Sequence, residues 1–278
     1  MVNANGVELY TESFGDAADP PVLLVMGFGG SMLWWDERFC KMLAEYGRFV
    51  IRYDQRDTGR STTYEPGRPR YTGADLRADA IALLEGYALP SAHLVGVSAG
   101  GALAQLLALD FPERVLSLVL ISTSPATPGE RDLPPPNSEF VRFVRSATVD
   151  WSDAVSVIDY LVAYARMLAG NQRVFEEADM RDLVRADVQR ADNFAASQNH
   201  DLLADDDKQR ESLSSITAPT LVIHGTADPM FPLAHGKALA EEIPGARLLS
   251  LAGAGHGVHQ ADWDTITRAI ATHTAPTR

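Results

Sequence analysis

Residues 91–111 read "SAHLVGVSAGGALAQLLALDF". The segment opens on a short apolar run and closes on apolar residues at helical spacing. Between the two stands Gly96-Val97-Ser98-Ala99-Gly100, the pattern G-x-S-x-G. A chain that passes from strand to helix over so few residues folds back sharply. Side chains two places either side of the apex would collide, so glycine is required at both. The apex residue takes a strained backbone conformation, and its side chain is pushed out beyond the end of the sheet. The N–H that follows it, that of Ala99, opens a helix and points to where an oxyanion would form. Ser98 is therefore a candidate nucleophile, and the strand–turn–helix around it predicts an α/β fold.

The rest of the chain has the same rhythm. "VLLVMG" (22–27), "RFVIRYD" (48–54), "LSLVLIS" (116–122), "TLVIHG" (220–225) and "ARLLSLA" (246–252) are continuous apolar runs. Such runs suit parallel strands covered on both faces. "VELYTE" (7–12) alternates instead, as a half-exposed strand does, after a turn at "ANG". Helical patterns lie between most runs; residues 73–89 place Leu76, Ala80, Leu83, Leu84 and Tyr87 on one face. Strands alternating with helices predict a mainly parallel sheet with helices on both sides.

That rhythm stops between about 126 and 213. A turn-rich stretch with three consecutive prolines comes first, followed by the helix-like segments 153–170, 172–199 and 205–216. The expected organisation is a core domain of residues 1–125 and 214–278, with a helical cap domain, 126–213, inserted between two strands.

A serine hydroxyl needs a base, and the base needs an acid to orient it. Both belong on loops at the carboxyl ends of later strands. "TLVIHGTADPMFP" (220–232) presents Asp228 in a turn, and "LLSLAGAGHGVHQ" (248–260) presents His256 between glycines. Ser98, Asp228 and His256 stand in the chain order that accompanies this serine turn. His259 is a second candidate for the base. His224 ends a strand and reads as a packed, hydrogen-bonded residue; His93, His200, His235 and His273 have no catalytic context. The loop "GFGG" (27–30) lets backbone N–H groups face a ligand, with the Phe28 N–H as the second oxyanion donor beside that of Ala99. Gly29, Trp35, Tyr160 and Tyr164 are candidates for substrate contact, although Trp34 and Trp35 suit core packing as well. The turn "YDQRDTGRST" (53–62) is read as a hydrogen-bonded brace for neighbouring loops.

The bulk numbers exclude other classes. A chain of 278 residues with 46% hydrophobic and 22% charged residues suits a soluble globular protein. Its net charge of -13 argues against nucleic acid and anionic membrane surfaces as partners. The one cysteine, Cys40, has no partner for an internal disulfide and lies in a helix-like stretch, so a buried thiol is expected. No signal-peptide pattern and no apolar run of membrane-spanning length is visible, which makes a cytoplasmic protein the expectation. No histidine–carboxylate cluster has metal-ligand spacing, so no metal is expected.

The glycine loop "GFGG", the turn "YDQRDTGRS", the elbow "GVSAG", "HGTADPMFP" and "GAGHG" together resemble the α/β-hydrolase family. The resemblance implies an eight-stranded, mostly parallel sheet with a helical cap inserted after strand 6. It also implies catalysis without a cofactor, through an acyl-enzyme. "LLVMG", "VIRYDQRDTGRSTT" and "HGKALAEEIPGARL" are similar to aclacinomycin methylesterase and its actinobacterial relatives, which act on methyl esters of polyketides in secondary metabolism. The expected protein is a serine ester hydrolase acting on a small hydrophobic ester, as monomer or homodimer. The same triad suits a lactonase, a carbon–carbon bond hydrolase or a cofactor-free perhydrolase, and the scaffold also suits a non-catalytic binding protein.

Overall fold

The computed structural model describes residues 1–127, 132–204 and 210–275. In chain order its strands are β1 (Val2–Ala4), β2 (Val7–Leu9), β3 (Thr11–Phe14), β4 (Pro21–Val25), β5 (Phe49–Tyr53), β6 (Ala92–Val97), β7 (Val115–Ile121), β8 (Thr220–Gly225) and β9 (Arg247–Leu251). Its α-helices are α1 (Glu37–Ala44), α2 (Gly73–Gly86), α3 (Ala99–Asp110), α4 (Ser138–Ser146), α5 (Ala154–Ala169), α6 (Glu177–Arg190), α7 (Ala234–Glu242) and α8 (Trp263–His273).

Seven strands form one sheet in the order β3-β5-β4-β6-β7-β8-β9, antiparallel only at the β3–β5 edge. β1 and β2 pair as a separate antiparallel ribbon. The implied count of eight is met only when β2 and β3 are taken as one strand interrupted at Tyr10. There the backbone leaves its partner β1 and bonds the 54–62 turn instead: Tyr10 N–H donates to Ser61 Oγ (2.8 Å), and its carbonyl accepts from Asp54 N–H (2.9 Å).

Continuous apolar strands arise because both faces of the sheet are covered. Along β4, Leu23 and Val25 pack on one side with Leu76, Leu83, Leu103 and Leu239 of α2, α3 and α7. Val22 and Leu24 pack on the other with Phe39, Leu43, Ile266 and Ile270 of α1 and α8. The predicted α2 face is buried at Leu76, Ala80, Leu83 and Leu84. Its start is held by Asp75, whose carboxylate accepts from the Thr72 N–H at 2.8 Å. Cys40 is buried among the second set, and burial pushes its thiol up to about 12, so it is no nucleophile.

Between β7 and β8 the regular elements among the described residues are all helical. α5 and α6 fall where helical spacing predicts them, but 172–199 is not one helix: α6 ends at Arg190 and a 3-10 segment follows at Phe194–Leu202. α4 is a helix that the proline-rich reading missed; Asn137 caps it, its side chain accepting from Glu139 N–H at 2.7 Å. Of the predicted helix at 205–216, residues 205–209 lie outside the described residues, and the remainder holds one 3-10 turn, Leu213–Ser215. No helix among the described residues is long and apolar enough to cross a membrane.

The 53–62 turn is the brace that its composition suggested. Asp54 is fully buried; one carboxylate oxygen accepts from Met32 N–H (2.9 Å), the other from Arg60 N–H (3.0 Å) and the Arg190 guanidinium (2.7 Å). Arg56 meets Asp79 through two bonds of 2.6 and 2.7 Å, with both side chains buried. Removing one member strands a buried charge. Asp79→Leu is expected to cost about 3–5 kcal/mol in urea unfolding, and adding Arg56→Met should recover most of that loss.

Candidate active site

Ser98 sits between β6 and α3 with φ 55° and ψ −124°, a conformation that L-residues rarely adopt. The strain is held in place from three sides. Ser98 N–H donates to the Ile121 carbonyl of β7 (2.9 Å), and its own carbonyl accepts from Thr123 Oγ1 (2.7 Å) and Gly101 N–H (2.9 Å). A Cβ at Gly96 would overlap the Gly100 carbonyl, and one at Gly100 would overlap the Val25 carbonyl of β4. The glycines are thus demanded by backbone-to-backbone approach, as the G-x-S-x-G pattern implies.

Asp228 follows β8 in a tight turn. Its Oδ1 accepts from Met230 N–H (2.9 Å) and Phe231 N–H (2.8 Å), which aims Oδ2 at His256 Nδ1, 2.8 Å away. Burial pushes the carboxyl up, but the His256 ring beside it, its hydrogen bond and the Phe231 N–H outweigh burial and hold it below its usual range. A carboxylate only accepts, so Nδ1 carries the proton and Nε2 is left with its lone pair. His256 follows β9, its N–H donating to the Leu168 carbonyl of α5 at 2.8 Å. Ser98 and His256 line one cavity, with no direct hydrogen bond between their side chains among the described residues.

Two other histidines are sorted by geometry. His224 is fully buried and donates from Nε2 to the Phe231 carbonyl (2.7 Å), the structural role expected of it. Its Nε2 lies 3.6 Å from Asp228 Oδ2, farther than the 2.8 Å of His256 Nδ1, and burial lowers its pKa. His259 lines the cavity without a bond to Asp228 among the described residues, and burial lowers its pKa too.

The loop 27–30 approaches Ser98 closely: a Cβ on Gly27 would lie 3.2 Å from Ser98 Cβ. Among the described residues neither Phe28 N–H nor Ala99 N–H donates to a protein group; Ala99 follows the serine, and Phe28 follows Gly27. α3 presents its N-terminus there, which favours developing negative charge. No group of three or more histidine, cysteine or acidic residues among the described ones could hold a metal.

The cavity measures about 1040 Å³. Its floor is Ser98, His256 and the 27–30 loop; its roof comes from α4, α5, α6 and Phe194. Gly29, Tyr160 and Tyr164 line it. Trp35 does not: it is fully buried against Phe39 in the core, and Trp34 faces the cavity instead. Trp34 ends a 3-10 turn and Trp35 follows it, so the two point to different sides, and composition could not say which. Trp34 is held by a residue that no motif singled out, Asp187 of α6, whose Oδ2 accepts from the indole N–H at 2.8 Å. Burial pushes the Asp187 carboxyl up to about 6, against the pull of Ser31 and Trp34.

The family model described as alpha/beta hydrolase fold matches residues 20–260. The chain belongs to that family. It is 32% identical to rhodomycin D methylesterase DauP of Streptomyces sp. (strain C5), over 99% of this chain and 97% of that one. The same figures hold for rhodomycin D methylesterase DnrP of Streptomyces peucetius. Among solved structures, the esterase RhEst1 from Rhodococcus sp. ECU1013 superposes with a TM-score of 0.75 at 23% identity, covering 98% of this chain and 96% of that one. The shared fold and the residue motifs agree on the hydrolase scaffold.

Two stability measurements test the site. Ser98→Gly relieves the positive φ whereas Ser98→Ala keeps it, so the glycine variant should melt higher, by about 1 kcal/mol of stability. Asp187 is disfavoured as an anion in the fold, so the wild type should lose stability as pH rises from about 4 through about 6. Asp187→Asn lacks that loss, and its advantage in urea unfolding should grow to about 3 kcal/mol by pH 7.

Proposed function

We propose that the chain hydrolyses a carboxylic methyl ester whose acyl part is a polycyclic, polyketide-type ring system. The observation that carries the reading is the convergence of a strained Ser98 and an Asp228–His256 pair on one large, aromatic-walled cavity. The rhodomycin D methylesterases, similar over nearly their whole length, support the methyl-ester part.

In this reading His256 Nε2 takes the proton of Ser98 as the hydroxyl attacks the ester carbonyl. The N–H groups of Phe28 and Ala99 hold the oxyanion. Asp228 holds the imidazole in its Nδ1–H tautomer and stabilises the cation that forms. His256 then gives that proton to the departing methoxide oxygen, releasing methanol, takes a proton from the water that attacks the acyl-enzyme, and returns it to Ser98 Oγ as the acid leaves. Residues 126–213 act as a cap domain on a core of 1–125 and 214–278. The cap supplies the wall for the acyl group from the cavity-lining Phe140, Trp151, Tyr160 and Tyr164: Trp151 meets Tyr160 edge-on at 5.9 Å, and Phe140 meets Tyr164 at 5.7 Å. Flat aromatic faces suit a fused-ring acid, and a methyl leaving group needs little room. A cytoplasmic monomer or homodimer completes the reading; the buried, unpaired Cys40 fits a reducing compartment.

The test is a panel of aromatic and aliphatic methyl esters, lactones and vinylogous diketones with wild type, Ser98→Ala and Asp228→Asn. Methyl esters of fused-ring acids should be turned over best. Ser98→Ala should abolish turnover, and Asp228→Asn should lower kcat by about 10³–10⁴-fold. Preference for a lactone or a diketone would move the reading to another bond. Wild-type activity in Ser98→Ala would remove Ser98 as nucleophile.

A further inference from the structure

We propose that His200 is a positioning residue for the oxyanion site: by accepting from the Gly29 N–H it fixes the turn over residues 27–30, at whose entry the Phe28 N–H stands, and so keeps that N–H in place for the ester oxygen. The proposal rests on the reading of Phe28 as an oxyanion donor.

His200 lies in the 3-10 segment Phe194–Leu202, on the inserted side of the cavity, and is 2% exposed. Its two ring nitrogens meet backbone groups of opposite polarity. Nε2 is 2.8 Å from the Arg56 carbonyl, which can only accept. Nδ1 is 2.9 Å from the Gly29 N–H, which can only donate. One tautomer satisfies both: proton on Nε2, lone pair on Nδ1. A charged ring would set an N–H against an N–H, and burial works in the same direction by lowering the ring's pKa.

The group so held decides a turn. Gly30 N–H bonds the Gly27 carbonyl (3.3 Å), and Gly29 has φ +75°, the signature of a type II turn over residues 27–30. Types I and II differ by a flip of the central peptide, here Phe28–Gly29. Without a partner for the Gly29 N–H, the flip is opposed only by local preference, and glycine adopts either form readily. The bond to His200 supplies the missing bias, and the Phe28 ring leans on the imidazole at 5.1 Å.

His200 is itself held rigidly. Its neighbour Asn199 is fully buried, donates to Asp57 Oδ2 (2.9 Å) and accepts from Gly67 N–H (2.7 Å). The oxyanion loop therefore takes its shape from a residue about 170 positions away in sequence (|i−j| = 171).

The experiment compares wild type, His200→Phe and His200→Asn. The first keeps a ring but offers no acceptor; the second offers an amide oxygen to Gly29. Three readouts are taken: kcat and KM on one methyl ester, affinity for an arylboronic acid that mimics the tetrahedral intermediate, and hydrogen exchange at the Gly29 amide by NMR. In His200→Phe, kcat and boronate affinity should fall together by about 10- to 100-fold. KM should stay within about threefold, and Gly29 exchange should speed by roughly tenfold or more. His200→Asn should return all three most of the way. Folded His200→Phe with wild-type kcat and boronate affinity overturns the proposal and leaves the ester-hydrolase reading intact. Equal losses in both variants with unchanged Gly29 exchange also overturn it, because the role is then packing alone. A wild type without Ser98-dependent turnover overturns the catalytic reading, and the role of His200 in it falls too.

Discussion

The backbone of Ser98 at φ 55° is the constraint on which the rest of the site depends. A strained residue persists only where its surroundings over-determine it. Here β4, β6 and β7 all take part: the Val25 carbonyl lies against Gly100, Gly96 lies against the Gly100 carbonyl, and the Ile121 carbonyl accepts from the serine N–H. None of these contacts has room for a side chain. Relaxing the serine would require moving three central strands whose apolar faces are packed on both sides. The cost of the strain is carried by the core, which returns a hydroxyl held at the end of the sheet.

A second layer of organisation is polar. The turn after β5 takes little part in the chemistry, yet much of the cavity is aligned through it. Asp54 joins the 3-10 turn after the glycine loop, through Met32, to α6 through Arg190. Asp57 and the Arg56 carbonyl anchor Asn199 and His200. Both carboxylate oxygens of Asp54 and of Asp57, and the Arg56 carbonyl, are met by donors. Such a network is worth little as net stability but fixes position, because any displacement leaves a desolvated charge unpaired. The inserted helices touch the working loops at defined points: Leu168 at the His256 N–H, Asp187 at Trp34 and His200 at Gly29.

Local rules made much of this legible in sequence. Continuous apolar runs predicted the doubly covered strands, glycine spacing predicted the sharp turn at Ser98, and turn residues after β8 and β9 pointed to Asp228 and His256. These signals are short in range: periodicity and steric demand act within a few residues. The errors were of the same kind. Alternation in "VELYTE" gave no sign of the break at Tyr10, which follows from a change of hydrogen-bonding partner. Three prolines hid α4, whose start depends on the Asn137 cap.

The sequence by itself determined the fold class, the sharp turn at Ser98 and the loops after β8 and β9 that present Asp228 and His256, because each is imposed by sterics and hydrogen bonding among near neighbours. Tertiary structure alone decided which tryptophan faces the cavity, which histidine bonds Asp228 at 2.8 Å, and that His200 accepts from the Gly29 N–H of the 27–30 loop. Those outcomes depend on groups brought together from 28 to 171 residues apart. Which polar groups are left together after the strands, helices and insertion have buried their apolar faces is a property of the packed whole, and no local pattern encodes it.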